Sequence, residues 1–249
     1  MYPHTKKPEA SQPFGVGVKI RGFLETSFLD WDGKVASVVF LPKCNFACPF
    51  CSNWLLVNEP DSLPEVKLET IEHFLAQRKD FIDGVVITGG EPTCHADLPD
   101  LIKRFKALGL LVKLDTNGTN PNQLTTLLAN HLIDYIAMDI KAPLDEKYSL
   151  AAGVKVDLTK IKESIKLIMG SGLDYEFRTT VTPNILGKPE IEEIAKTIAG
   201  AKKYVLQQFV PNHSMVKEMR ALDPHPAATL REMAESAKPY VANTIVRGV

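Results

Sequence analysis

The sequence predicts an α/β fold, a parallel sheet whose strands alternate with covering helices. Three observations carry that expectation. Short runs of Val, Ile, Leu and aromatic residues alternate with stretches of helical periodicity, about six times in succession. The strand runs are apolar almost without a break, which suits strands buried on both faces. Pro and Gly are scattered along the 249 residues, and no repeat or low-complexity linker divides them. Six strand–helix units are two short of a closed eight-fold barrel. The pattern therefore fits an open three-quarter barrel or a doubly wound sheet. Either architecture puts its chemistry at the carboxyl ends of the strands.

Residues 1–18 read as a polar, proline-containing arm. Residues 19–249 read as one domain, with its core over about 34–210 and a C-terminal helix and strand over 211–249. The first strand of the alternation is 36–41, a β-branched run stopped by Pro42. Residues 66–78 have helical spacing, with Val66, Leu68, Ile71, Phe74 and Leu75 apolar. A short strand over 84–88 precedes Gly89-Gly90. An amphipathic helix over 98–108 stops at Gly109, a residue type suited to helix ends. A strand over 110–114 leads to a helix over 122–130 with Pro121 near its start. Next come a strand at 135–140 and a helix over 158–169 ended by Gly170. Strand 175–181, helix 190–199, strand 204–209 and helix 227–237 complete the series, and 241–246 add one more strand.

Bulk composition narrows the function. Hydrophobic residues make up 45%, charged residues 24%, and the formal net charge is −1. A chain of this length buries a core without staples. Its charge balance gives no electrostatic reason to expect nucleic acid or an anionic membrane as partner. No stretch reaches the roughly 18 apolar residues that a bilayer demands. The N-terminal MYPHTKKPEASQPFG lacks the apolar run of a signal peptide. The expectation is a cytoplasmic protein.

There are four cysteines, and Cys44, Cys48 and Cys51 fall within eight residues. They lie directly after the first strand of the alternation, in Lys43-Cys44-Asn45-Phe46-Ala47-Cys48-Pro49-Phe50-Cys51. Thiolates are soft ligands for iron–sulfur clusters, zinc or Cu(I). Three closely spaced cysteines on a loop converge on one centre at little entropic cost. A closed zinc site wants four ligands, usually in two separated pairs. A cubane held by three cysteines leaves one iron open to a ligand. The spacing also leaves room for a Cys3His zinc site, with His95, His73 or another histidine as the fourth ligand. Cys94 belongs to a different loop, where a partly buried cysteine is the commoner explanation.

The Cys-x3-Cys-x2-Cys spacing after a first strand, with Phe50 before the last cysteine, resembles the radical SAM superfamily. That resemblance implies a partial (β/α)6 barrel, TIM-barrel-like and open on one side. It also implies a [4Fe–4S] cluster on Cys44, Cys48 and Cys51, whose open iron is chelated by S-adenosylmethionine. Phe50 would sit near the adenine. An electron from the cluster would break the sulfonium C–S bond and release a 5′-deoxyadenosyl radical.

Other strand ends carry supporting residues. Thr88-Gly89-Gly90-Glu91-Pro92 follows the second strand. Its glycines permit close backbone approach to a ligand, and Glu91 places an anion where a ligand ammonium could sit. The segment resembles the superfamily's GGEP motif, associated with the methionine amino group. Asp115-Thr116-Asn117-Gly118 and Met138-Asp139-Ile140-Lys141 end the third and fourth strands. Read alone, the first is an Asx-type turn and the second a surface pair. Both resemble elements of the glycyl-radical-enzyme activases. There Asp115, Thr116 and Asp139 would help to coordinate a monovalent cation, Lys141 would contact the methionine carboxylate, and Asn117 would belong to the same cofactor-binding loop. Arg178 is flanked by strand residues and needs a partner if it points inward. A carboxylate ligand would satisfy it bidentately; the plainer reading is an outward-facing strand arginine. The matching activase position is also an arginine, near S-adenosylmethionine. The sixth strand ends in Gln207 and Gln208, where activases of the pyruvate formate-lyase type carry a histidine. His213 comes only later, which is a departure. Trp54 is expected to pack near the cluster.

Residues 22–44 resemble the N-terminal hairpin of activating proteins of anaerobic ribonucleoside-triphosphate reductase, and residues 19–210 match that pattern. The resemblance implies a glycyl radical enzyme as partner, in particular the anaerobic ribonucleotide reductase, and a flavodoxin- or ferredoxin-type electron donor. Radical chemistry on a small molecule or a maturing peptide is the second reading. A non-catalytic zinc or iron–sulfur module is the third.

Overall fold

The computed structural model describes residues 17–249. The expected arm over 1–18 lies outside the described residues except for its last two. Of these, Gly17 donates its N–H to Asp97 Oδ2 at 3.0 Å. The chain enters through β1 (Gly22–Ser27), which turns back antiparallel onto β2 (Ala36–Leu41). From β2 every neighbouring pair is parallel: β3 (Gly84–Gly89), β4 (Leu111–Thr116), β5 (Tyr135–Asp139), β6 (Asp174–Val181), β7 (Tyr204–Gln208) and β8 (Thr244–Arg247). The spatial order equals the sequence order, and among the described residues no pairing joins β8 back to β1. The sheet is an open, mostly parallel barrel. Of the two architectures that the alternation allowed, the doubly wound one is excluded, because its strand order would reverse.

The pleat explains what each strand carries. Val39, Leu41, Val85, Ile87, Val112, Leu114, Ile136, Met138, Phe177 and Leu206 share one core with the helices. Residues one step out of phase point inward. On β2 and β3 these are Ala36, Val38 and Val86, packed on Trp31. On β4 to β6 they are Lys113, Asp115, Asp139, Glu176 and Arg178, and their ion pairs lie inside the barrel.

The helices cover the outer face. They are α1 (Trp54–Asn58), α2 (Leu68–Gln77), α3 (Leu98–Ala107), α4 (Pro121–Ala129), α5 (Glu146–Ala152), α6 (Leu158–Gly170), α7 (Lys188–Thr197) and α8 (Ala227–Ala237). Their stripes are specific. Leu98, Leu101, Ile102 and Phe105 of α3 are all fully buried, each contributing roughly 1.5–3 kcal/mol of transfer free energy. Two helices, α1 and α5, were not anticipated from sequence. α5 is short, begins on an Asp145 cap and stops at Gly153, which adopts φ 69°. No described helix is long and apolar enough to cross a membrane.

Candidate active site

A cavity of about 410 Å³ opens at the carboxyl ends of the strands. Cys44, Cys48, Cys51, Phe50, Gly89, Gly90, Glu91, Asp115, Asn117, Asp139, Lys141 and Arg178 all line it. Every expected site residue is therefore gathered into one place, from the ends of the successive strands β2 to β6 and the loops that follow them. Trp54 is in the wall too, with the Arg220 guanidinium 6.0 Å from its ring.

The cysteine loop is held on four sides. Lys43 sits at φ 66°, a region that residues with a Cβ seldom use. Its N–H donates to Leu56 O at 2.8 Å, tying it to α1, and its carbonyl accepts Glu91 N–H at 2.8 Å. Ala47 N–H donates to Ala152 O of α5 at 2.9 Å. Gly153 has to be a glycine here, because a Cβ would lie 2.0 Å from Ala47 O. On the fourth side the connection between β7 and α8 crosses the loop, with Val216 N–H donating to Pro49 O at 3.0 Å.

The thiols are shielded from water. Burial pushes Cys44 up to about 12 and Cys48 up to about 11, and raises Cys51 as well, although the Lys141 charge opposes the shift at all three. Such thiols ionise when a metal's charge replaces the lost solvation. Phe46 N–H already points at Cys44 Sγ at 3.3 Å. Three soft donors, a backbone donor to sulfur and a neighbouring cation fit an iron–sulfur cluster. No group of three or more His, Cys, Asp or Glu among the described residues converges as a single-ion site. His95 is engaged elsewhere, with Nε2 2.7 Å from Pro42 O, and His73 contacts Gln77 on α2. Cys94, expected to be partly buried, is exposed.

The glycine motif packs against the cysteine loop. A Cβ on Gly90 would lie 1.8 Å from Lys43 O, and one on Gly89 2.4 Å from Leu41 O. The close approach is between two protein backbones, the β3 end and the cysteine loop. Glu91 is 1% exposed. Its Oε1 accepts Thr93 N–H at 3.0 Å, the Thr93 hydroxyl at 2.5 Å and the Thr116 hydroxyl at 2.7 Å. Its Oε2 accepts Asn117 N–H at 2.6 Å. Burial raises the Glu91 carboxyl despite these donors. Glu91 thus braces the β3 loop against the β4 loop at the wall of the cavity. Asn117 in turn donates to Asn45 Oδ1 at 2.8 Å, next to Cys44.

Opposite the cysteines stands a charged row. Arg178 donates from NH1 to Asp115 Oδ2 at 2.9 Å and from Nε to Asp139 Oδ1 at 2.8 Å. Lys141 donates to Asp139 Oδ2 at 2.9 Å. Burial alone would raise the Asp139 carboxyl, but the Arg178 and Lys141 charges outweigh it and hold it at about 2. Asp139 keeps Lys141 charged, and Asp115 together with Asp139 keeps Arg178 charged, against the effect of burial. The inward arginine therefore finds its carboxylates within the chain. Asp115 and Asp139 are paired with it, and the Thr116 hydroxyl is turned to Glu91.

Sequence reasoning missed the positions that build the site without touching a ligand: Ala152 and Gly153 of α5, Val216 and Asn45. Asp145 and Gly153, a cap and a stop that bracket a short helix, were the available signal.

An open parallel barrel with a three-cysteine loop after its first parallel strand, and a glycine-rich loop beside it, defines a class. Residues 38–199 match the Radical SAM superfamily. The chain belongs to that superfamily. It is 35% identical over 237 residues to a protein of Methanocaldococcus jannaschii provisionally named a glycyl-radical enzyme activating enzyme, covering 92% of this chain and 96% of that one. It is also 35% identical over 116 residues to the 7-carboxy-7-deazaguanine synthase of Neisseria meningitidis, covering 47% of this chain and 48% of the synthase. Among solved structures, Streptococcus suis SuiB bound to its precursor peptide SuiA superposes with a TM-score of 0.67 at 17% identity. That match covers 85% of this chain and 48% of SuiB, and it shows the fold alone.

Proposed function

We propose that the protein cleaves S-adenosylmethionine reductively and uses the 5′-deoxyadenosyl radical to take a hydrogen atom from a glycine of a partner enzyme. The observation that carries this reading is the near full-length match to the Methanocaldococcus jannaschii protein provisionally named a glycyl-radical enzyme activating enzyme. We take the partner to be anaerobic ribonucleotide reductase or a related glycyl radical enzyme, and the reductant to be a flavodoxin- or ferredoxin-type protein.

Cys44, Cys48 and Cys51 would hold a [4Fe–4S] cluster. When bound, the cluster supplies the electron that breaks the sulfonium C–S bond. Lys141 and Arg178 present two permanent positive charges to the methionine carboxylate, and Asp139 fixes both of them. Phe50 offers an apolar wall for the adenine. Methionine and the carbon radical are the products of cleavage. Hydrogen transfer then leaves 5′-deoxyadenosine and a glycyl radical on the partner.

Anaerobic reconstitution, reduction with dithionite and assay for methionine and 5′-deoxyadenosine test the first half. Addition of the reductase with detection of a glycyl radical by electron paramagnetic resonance tests the second. Cleavage without any glycyl radical would turn the assignment toward the second reading, a small-molecule substrate, which the half-chain match to the deazaguanine synthase favours.

A further inference from the structure

Below the cavity the barrel interior is divided. Trp31, Ala36, Val38 and Val86 fill the β2–β3 side. The β4–β8 side is ionic, and Glu176 is its hub. The Glu176 side chain is 2% exposed. Its Oε1 lies 3.1 Å from Arg247 and 3.8 Å from Lys113 Nζ. Its Oε2 lies 3.3 Å from Lys203 Nζ and accepts the Tyr135 hydroxyl at 3.4 Å. Lys113, 3% exposed, reaches upward to Asp115 Oδ1 at 3.6 Å. It also donates to the carbonyl of Asp30 in the β1–β2 turn. Asp115 Oδ1 has no hydrogen-bond partner, so this ion pair is what holds that oxygen. The other Asp115 oxygen carries Arg178. Charge therefore alternates from Glu176 through Lys113, Asp115, Arg178 and Asp139 to Lys141, and only the last four of these line the cavity.

Buried pairs of this kind add little net stability, because desolvation offsets their attraction. They do fix geometry. Lys113 stands between two carboxylates, and Asp115 stands between Lys113 and Arg178. Glu176 shares the charge of Lys113, which limits how strongly Lys113 draws Asp115 away from Arg178.

We propose that Glu176 is a positioning residue for S-adenosylmethionine, acting through Lys113 and Asp115 on the Arg178 guanidinium. Without the Glu176 charge, Lys113 takes Asp115 as its main partner. Arg178 then loses one of its two anchors and meets the methionine carboxylate in a looser pose. This inference rests on the S-adenosylmethionine-binding reading above and not on the identity of the partner enzyme.

The test is equilibrium dialysis of S-adenosylmethionine against anaerobically reconstituted protein. The set is wild type, Glu176→Gln, Asp115→Asn and the double variant, with a melting temperature for each. Glu176→Gln weakens binding about tenfold, the lower end of what supporting contacts contribute. In the Asp115→Asn background the same change has much less effect, because the path is already cut. Glu176→Asp, which restores the charge, recovers part of the loss. A Glu176 that merely supports the fold would lower the melting temperature and leave affinity unchanged, or would weaken binding equally in both backgrounds. Either result overturns the proposal. Lys113→Met removes the cation that competes for Asp115 and replaces Glu176→Gln if that variant does not fold: affinity equal to or above wild type is expected, and a loss of about tenfold refutes the proposal. Wild-type protein that binds no S-adenosylmethionine would instead sink the underlying reading.

Discussion

Gly90→Ala asks whether the glycine pair serves the cysteine loop. A Cβ there would lie 1.8 Å from Lys43 O and 2.5 Å from Lys43 C. Both are backbone atoms, so no side-chain rotation relieves the clash. Lys43 has little freedom to retreat, since its N–H is bound to Leu56 O and its carbonyl to Glu91 N–H. Overpacking of this kind costs about 1–3 kcal/mol. Breaking the bonds from Gly90 N–H to Leu41 O and from Glu91 N–H to Lys43 O adds about 1 kcal/mol each. The sum is about 3–5 kcal/mol, or roughly 10 °C in Tm for a chain of this size. Cys44 follows Lys43, so the same displacement moves a residue proposed to hold the cluster. Thermal unfolding by circular dichroism and iron content after anaerobic reconstitution should fall together. A variant melting within about 2 °C of wild type with full iron would refute the reasoning and return the glycines to a ligand-facing role.

Other expectations follow from the same geometry. Arg178→Met strands two carboxylates in the barrel; loss of one partner from a buried pair costs about 3–5 kcal/mol, and calorimetry should show S-adenosylmethionine binding abolished as well. Neighbouring cations depress Asp139 and Glu176 to about 2, from ordinary values of 3.8 and 4.5. Their contribution is therefore complete above the ordinary values and is lost as pH falls through about 2. An Asp139→Asn protein should unfold in acid with a shallower pH dependence below about 4, and an unchanged slope would contradict this. Because burial raises all three cluster cysteines, iron loading releases thiol protons. Iron uptake should strengthen as pH rises from about 7 to about 9, and uptake independent of pH would count against thiols that are protonated before loading. Gly153→Ala meets both φ 69° and Ala47 O at 2.0 Å, and should loosen α5 from the cysteine loop, read as faster hydrogen exchange at the Ala47 amide.

The alternation of strands and helices was legible because it depends on local periodicity, and β2 to β8 lie where those runs do. The cysteine spacing was legible for the same reason: Cys44, Cys48 and Cys51 lie on one loop. Contacts between loops were not legible. Nothing in Gly89-Gly90 tells whether the surface approaching it is a ligand or Lys43, and nothing in Glu91 tells that its carboxylate is taken by Thr93, Thr116 and Asn117. Arg178 was read as meeting the carboxylate of a ligand; its pairing with Asp115 and Asp139 within the chain depends on the curvature of the barrel. α5 escaped because so short a helix carries too few positions to show a period.

The turn between β1 and β2 reaches across the barrel, so that Asp32 meets Arg247 of β8, 215 residues further on. In folding terms this is a contact of nearly maximal sequence separation, and its loop entropy must be met before it gives any return. During synthesis the ionic floor under Arg178 stays incomplete until β8 has left the ribosome, while the cysteine loop, made early, is already available. Order of manufacture thus separates the two halves of the site. A chain stalled before β8 would carry the three thiols above an ionic floor that still lacks Arg247, the partner that ties Glu176 to Asp32.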